Sequence, residues 1–173
     1  MDPIESSIIY VAVLFSAMLP GVYLASNITD SFGGYRGRGM RTALSFCIIF
    51  AVISSIFSIW LSYTFDPTCF VVFLWLFFFF GAGIMPAGNG IIVGCVPKHV
   101  SNSASALYCV CQNMIGLSFG TVFSGYIMDG YRNKREGMIH GYRVLMYAPL
   151  ITTLLLIIAR MIVKRALKTL KKR

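Results

Sequence analysis

The chain has 173 residues, of which 57% are hydrophobic and only 12% are charged, and its mean hydropathy is +0.76. These values indicate a membrane protein and exclude an ordinary water-soluble domain. The formal net charge of +9 does not indicate a nucleic-acid binder, because the basic residues cluster at the ends of apolar runs. We interpret these clusters as determinants of membrane topology, and we expect no nucleic-acid partner.

The first two predicted spans, about 8–29 and 42–63, each have the ~20 residues that a helix needs to cross a bilayer. Pro20-Gly21 predicts a kink in the first span, whereas the second is an unbroken apolar helix with scattered serines. Between them lies a polar island, Asp30 to Arg41, with one acid, three arginines and four glycines. It is too polar for hydrocarbon and is therefore predicted to be a loop at the membrane surface.

The third predicted span, about 69–95, changes character halfway along its length. Its second half is rich in glycine, and Gly83, Ala87, Gly90 and Gly94 follow one another at helical spacing. Four small residues on one helix face let another helix approach closely, so we predict a packing seam there. A ligand-facing hinge near Pro86 is the alternative.

The fourth predicted span, about 103–128, has a polar side that includes Gln112 and Asn113. Buried amides are costly in lipid unless they are hydrogen-bonded, so these side chains should face protein or a water-filled cavity. Gly116 and Gly120 form a small-xxx-small pair, which predicts helix packing. A fifth span, about 142–163, completes a five-span bundle over 1–163, and 164–173 is a basic tail that we expect to contact lipid headgroups.

Charge also predicts the orientation of the spans. Most lysines and arginines fall on the side of the polar island and the tail, so the positive-inside rule places the C-terminus in the cytosol. A plasma membrane and an endolysosomal membrane are not distinguished. No signal peptide is evident, and an odd number of spans beginning outside predicts that at least one preceding helix is missing. The motifs ending in Asp30 and Asp129 lie three spans apart, as in three-helix repeats of inverted topology.

These features together resemble the major facilitator superfamily of secondary transporters. The polar island is similar to the superfamily's loop signature, Gly-x-x-x-Asp-x-x-Gly-Arg-Arg, with Ser26 in place of the first glycine. The resemblance covers helices eight to twelve of a twelve-helix transporter, which implies an all-α C-terminal bundle of five transmembrane helices lacking its first helix. Within the superfamily, the segment from Gly94 to Asp129 looks most like the Spinster-like and organic-anion-transporter-like branches.

The resemblance implies part of a secondary active transporter that moves a small organic or amphipathic solute by alternating access and is incomplete on its own. The implied gating motif consists of Asp30, Gly33, Gly34, Arg36 and Arg38. In this interpretation Asp30 meets the positive end of a helix in the missing N-terminal bundle. The alternative is a solvated turn whose arginines only set topology.

Six polar or aromatic side chains are candidates for substrate contact: Tyr23, Asn27, Asn89, Tyr108, Gln112 and Asn113. Interhelical hydrogen bonding is the other interpretation of each. We expect no enzyme, catalytic residue, cofactor or metal, because His99 and His140 lie in loops on opposite sides and the five cysteines lack ligand spacing. The expected partners are the bilayer, a small solute, and the missing bundle or another membrane subunit. A non-transporting accessory or assembly protein derived from a transporter half is the alternative function.

Overall fold

The structure is a computed structural model that describes residues 3–35, 38–64, 66–131 and 133–170. All regular elements in these ranges are helical, which confirms the all-α class for this part of the chain. The helices are α1 (Pro3–Ser31), α2 (Arg38–Tyr63), α3 (Pro67–Cys95), α4 (Ser101–Cys111), α5 (Gly120–Asp129) and α6 (Lys134–Leu170). A 3-10 turn (Lys98–Val100) precedes α4, and a π-helical segment (Gln112–Phe119) joins α4 to α5.

Four helices are long and apolar enough to cross a membrane, and they comprise Ser7–Ser31, Gly39–Tyr63, Pro67–Cys95 and Lys134–Arg165. This is the character of a multi-pass integral membrane protein. The predicted count of five spans is met only in part, because residues 103–128 are helical but divided by the π-helical segment. Gly116 and Gly120 lower the local preference for regular α-helix at this division.

Helix α3 lies at the centre of the bundle and packs against α1, α2 and α4. Helix α2 lies between α3 and α6, and α5 packs on α6. The apolar core is formed by Val13, Leu61, Leu74 and Met146, one from each of α1, α2, α3 and α6. Each of the four helices that are long enough to span a membrane therefore contributes to one shared core.

Small residues bring α1 close to α3. Ala17, Gly21, Ala25 and Thr29 recur at every fourth position of α1 and are all buried. A Cβ on Gly21 would collide with the backbone carbonyl of Phe79, and a Cβ on Gly83 would lie 3.1 Å from the Ala25 methyl group. The seam on α1 is thus the counterpart of the small-residue face predicted for α3, although the sequence had assigned Gly21 to a kink.

Hydroxyl groups join α2 to α6. The Ser55 and Thr153 hydroxyls are 3.0 Å apart, and the Ser58 hydroxyl donates to the Met146 carbonyl. At the end of α2, the Tyr63 and Tyr147 hydroxyls are 2.9 Å apart. Ser55, earlier in α2, pairs with Thr153, whereas Tyr63 at the end of α2 pairs with Tyr147, which is earlier in α6, so the two helices are antiparallel. Ser55 and Ser58 of α2 therefore form a row of hydrogen bonds to α6, which we call the serine seam.

The α1–α3 contact makes stability sensitive to a single methyl group. We expect Gly21→Ala to lower the free energy of unfolding by about 1–3 kcal/mol, because the new Cβ must displace backbone and not a flexible side chain. Gly125→Ala in α5 is the matched control, since nothing lies within 4 Å of its Cβ position. Unfolding in mixed micelles at increasing denaturing detergent measures both variants. Equal stability of the two would contradict the packing assigned to Gly21.

Candidate functional site

The polar island begins with a glycine cap on α1. The Gly34 N–H donates to the Thr29 carbonyl at 3.1 Å, and the Gly33 N–H donates to the Asp30 carbonyl at 3.3 Å. Gly33 and Gly34 have φ values of 97° and 68°, in the left-handed region that favours glycine at a helix C-terminus. We call residues Phe32–Tyr35 the capped loop. Its two glycines end α1 and turn the chain toward α3.

Tyr35 fastens the capped loop to α3. Its ring atoms lie 2.7 Å from the position that a Cβ on Gly90 would occupy, and its carbonyl oxygen lies 2.6 Å from the equivalent point on Gly94. Burial raises the pKa of Tyr35 and outweighs a hydrogen bond with Thr29 that lowers it, while the nearby Asp30 also raises it, so the hydroxyl is neutral at physiological pH. The sequence did not identify Tyr35, because a single aromatic residue in a polar loop gives no periodic signal.

The predicted seam on α3 therefore has two kinds of neighbour. Gly83 receives the Phe50 ring, whose nearest atom is 2.6 Å from its Cβ position, together with Ala25 of α1. Ala87 is buried in the same region. Gly90 and Gly94, by contrast, receive the loop residue Tyr35. One half of the face packs helices, and the other half positions the polar island.

Of the charged members of the proposed gate, the structure describes Asp30, which lies five residues before Tyr35. Asp30 is exposed in the last turn of α1, and α2 begins at Arg38. Arg36 lies outside the described residues. A carboxylate near a helix C-terminus is unfavourable by about 0.3–1 kcal/mol, because the partial charge of that end is also negative. Asp30 is thus held at a position where an external positive group would stabilise it.

The six candidate substrate contacts fall in different places. Tyr23 is 70% exposed and Asn27 is exposed, each two residues along α1 from a seam residue and so on the face turned away from α3. Tyr108 lies on α4, where its hydroxyl donates to the Met85 carbonyl of α3 at 3.4 Å. Of these three candidates, Tyr23 and Asn27 face away from the neighbouring helix, whereas Tyr108 contacts it.

The remaining candidates are engaged differently. The Asn113 amide nitrogen donates to the Cys109 carbonyl of its own helix at 2.8 Å, and Gln112 is half-buried at the start of the π-helical segment. The Asn89 Oδ1 atom is buried and has no hydrogen-bond partner in the described structure. A buried amide oxygen without a donor costs free energy, so Asn89 can accept a further hydrogen bond from a partner or a solute.

Gly116 and Gly120 line a groove beside α6 that is only loosely filled. Nothing lies within 4 Å of a Cβ on Gly116, and a Cβ on Gly120 would make an ordinary 3.5 Å contact with Leu145. The tight contact between α5 and α6 lies elsewhere, where Gly141 packs against Met128 and its carbonyl accepts from Ser124 at 3.2 Å. Sequence spacing identified the loosely packed pair and missed Gly141.

Comparisons with protein-family models, curated proteins and solved structures gave no match to this chain. The resemblance to a transporter superfamily therefore depends on the motif residues of the polar island and on the order of the apolar segments.

The anchoring of the capped loop predicts its resistance to protease. Gly90→Ala should expel the Tyr35 ring and release the capped loop from α3, raising the rate of trypsin cleavage after Arg36, Arg38 or Arg41 about tenfold, because a protease needs a locally unfolded chain. Gly81→Ala on the same helix is the control, because its Cβ would lie at an ordinary 3.5 Å from Ser54. Peptide mass spectrometry after timed digestion measures the rates. Equal rates in the two variants would show that Tyr35 docking does not protect the loop.

Proposed function

We propose that this chain is one helical bundle of a secondary active transporter, which moves a small organic or amphipathic solute by alternating access against a second bundle or membrane subunit. The observation that carries the proposal is the position of Asp30. Its carboxylate is exposed at the unfavourable end of α1, beside a loop that Gly33, Gly34 and Tyr35 hold in place. An exposed carboxylate at the end of a helix that disfavours negative charge is suited to an ionic contact that forms in one state and breaks in another.

The outward face of α1 supports the same function. Tyr23 and Asn27 lie opposite the seam that binds α3, so neither is used to hold the bundle together. An exposed amide on a helix within a membrane needs water or a polar partner, because lipid offers no hydrogen bonds. In the proposed transporter this face of α1 lines the solute pathway between the two bundles.

A non-transporting assembly protein is the second candidate function. The groove beside Gly116 favours it, because a small residue with open space above it admits another helix closely. In that function Tyr23 and Asn27 hydrogen-bond to the partner subunit and do not contact water.

Access of water to α1 distinguishes the two functions. In a variant with all five cysteines replaced by alanine, Tyr23→Cys and Asn27→Cys should react with a membrane-impermeant maleimide in native membranes, whereas Ile56→Cys should not. Ile56 is the matched control because it is 49% exposed on the apolar α2. Labelling is measured by the mass shift of the purified chain. If Tyr23→Cys and Asn27→Cys are as unreactive as Ile56→Cys, the transport pathway along α1 is excluded and the assembly function is favoured.

The proposed gate makes a separate prediction for Asp30. Asp30→Asn should change the ratio of Asn27→Cys labelling from the two sides of the membrane about two- to fivefold, the effect of a charge–dipole contact of about 0.3–1 kcal/mol. Asp129→Asn is the control, since it removes an exposed carboxylate from the end of α5. An unchanged ratio for Asp30→Asn, or an equal change for Asp129→Asn, would contradict the gating role.

A further inference from the structure

A groove lined by basic and apolar side chains lies between the beginning of α2 and the end of α6. It has a volume of about 560 Å³, and its lining includes three cations, Arg41, Arg160 and Lys164, and apolar side chains such as Leu44, Ile48 and Ile157. The volume is within the range of ~300–1,000 Å³ that is usual for small-molecule sites. The antiparallel pairing of α2 with α6 brings the two ends together, since Ser55 pairs with Thr153 further along the same interface.

The groove is divided into a charged part and an apolar part. Arg41 belongs to α2, and Arg160 and Lys164 belong to α6, so two different helices supply the cations. Among the described residues, no carboxylate forms an ion pair with any of the three. Three cations left together without counter-charges repel one another, and an anion between them would relieve that repulsion.

The position of the groove identifies the source of the anion. Arg41 lies just inside the beginning of the apolar segment Gly39–Tyr63, and Lys164 lies at the end of the segment Lys134–Arg165. Both are therefore at the level of lipid headgroups, at the end of the bundle that carries the capped loop. The apolar walls, which include Leu44 and Ile157, extend from the cations toward the bilayer interior. This arrangement matches a headgroup joined to acyl chains.

We propose that this groove binds one phospholipid whose headgroup carries more than one negative charge. Its phosphates lie between Arg41 on α2 and Arg160 and Lys164 on α6, and its acyl chains lie along the apolar walls. Basic pockets between membrane helices bind such headgroups. The lipid bridges α2 and α6 at the end that lies beyond their serine seam, so it should also stabilise this pair of helices. The proposal does not depend on the transport function.

Native mass spectrometry of the full chain in detergent tests the proposal with phosphatidylinositol 4-phosphate, phosphatidylserine and phosphatidylcholine as added lipids. We expect one tightly bound phosphatidylinositol 4-phosphate and weaker binding of the other two. The triple variant Arg41→Gln, Arg160→Gln and Lys164→Gln should bind phosphatidylinositol 4-phosphate about a hundredfold more weakly, because each cation removed should lower the affinity about fivefold. Equal binding of phosphatidylserine by the unaltered chain would overturn the assignment to a polyanionic headgroup.

The basic tail supplies the matched control. Lys168→Gln, Lys171→Gln and Lys172→Gln remove the same charge from the basic tail, so general attraction to anionic lipid would be reduced equally in both triple variants. An equal loss would overturn the site. The double variant Arg41→Lys and Arg160→Lys keeps the positive charge and should retain lipid binding. Loss of binding in this variant would overturn the role assigned to charge in the groove. Soluble inositol 1,4-bisphosphate should bind at least tenfold more weakly than the lipid, and equal binding would overturn the role of the acyl chains.

Discussion

The close approach of α1 to α3 is the contact on which the rest of the bundle depends. In lipid there is little hydrophobic gain from bringing two apolar helices together, so packing and hydrogen bonds must provide the attraction. The small seam on α1 lets Gly21 lie directly against the Phe79 backbone, where a larger residue would hold the helices apart. That distance fixes where α1 ends relative to α3. The capped loop reaches Gly90 and Gly94 only because α1 is already this close.

The other side of the bundle uses a different type of contact. Between α2 and α6, side-chain hydroxyl groups form hydrogen bonds, in the pairs Ser55–Thr153 and Ser58–Met146. Interhelical hydrogen bonds in membranes contribute only about 0.6 kcal/mol each on average, so such a seam specifies register more than it supplies strength. One half of the molecule is thus fixed by tight packing and the other by directional bonds. The proposed polyanionic lipid, at the beginning of α2 and the end of α6, would add stability to the pair of helices that is less closely packed.

The sequence predicted the parts of the fold that arise from composition. Long apolar runs identified four helices that the structure describes as membrane-length, and the spacing from Gly83 to Gly94 identified a small face that does lie against neighbours. The seam on α1 was missed because a glycine next to Pro20 is also expected where a helix kinks. The sequence alone does not distinguish a kink glycine from a glycine that packs against another helix. The docking of Tyr35 was not predictable, since it depends on where two helices lie in three dimensions. The π-helical segment was missed for a related reason, because hydropathy does not distinguish i→i+4 from i→i+5 hydrogen bonding.

Helix α1 has one face that packs against α3 and an opposite face that carries exposed polar side chains. Every fourth residue from Ala17 to Thr29 is buried, so the residues midway between them, such as Tyr23 and Asn27, are turned outward by the helix geometry itself. A tyrosine and an asparagine are less stable there than Leu or Ile would be against lipid, and no described contact of the seam uses their side chains. The same reasoning applies to Asp30, whose charge opposes the dipole of its own helix. These three residues contribute nothing to the seam between α1 and α3, as expected if the outward face of α1 has the proposed transport role.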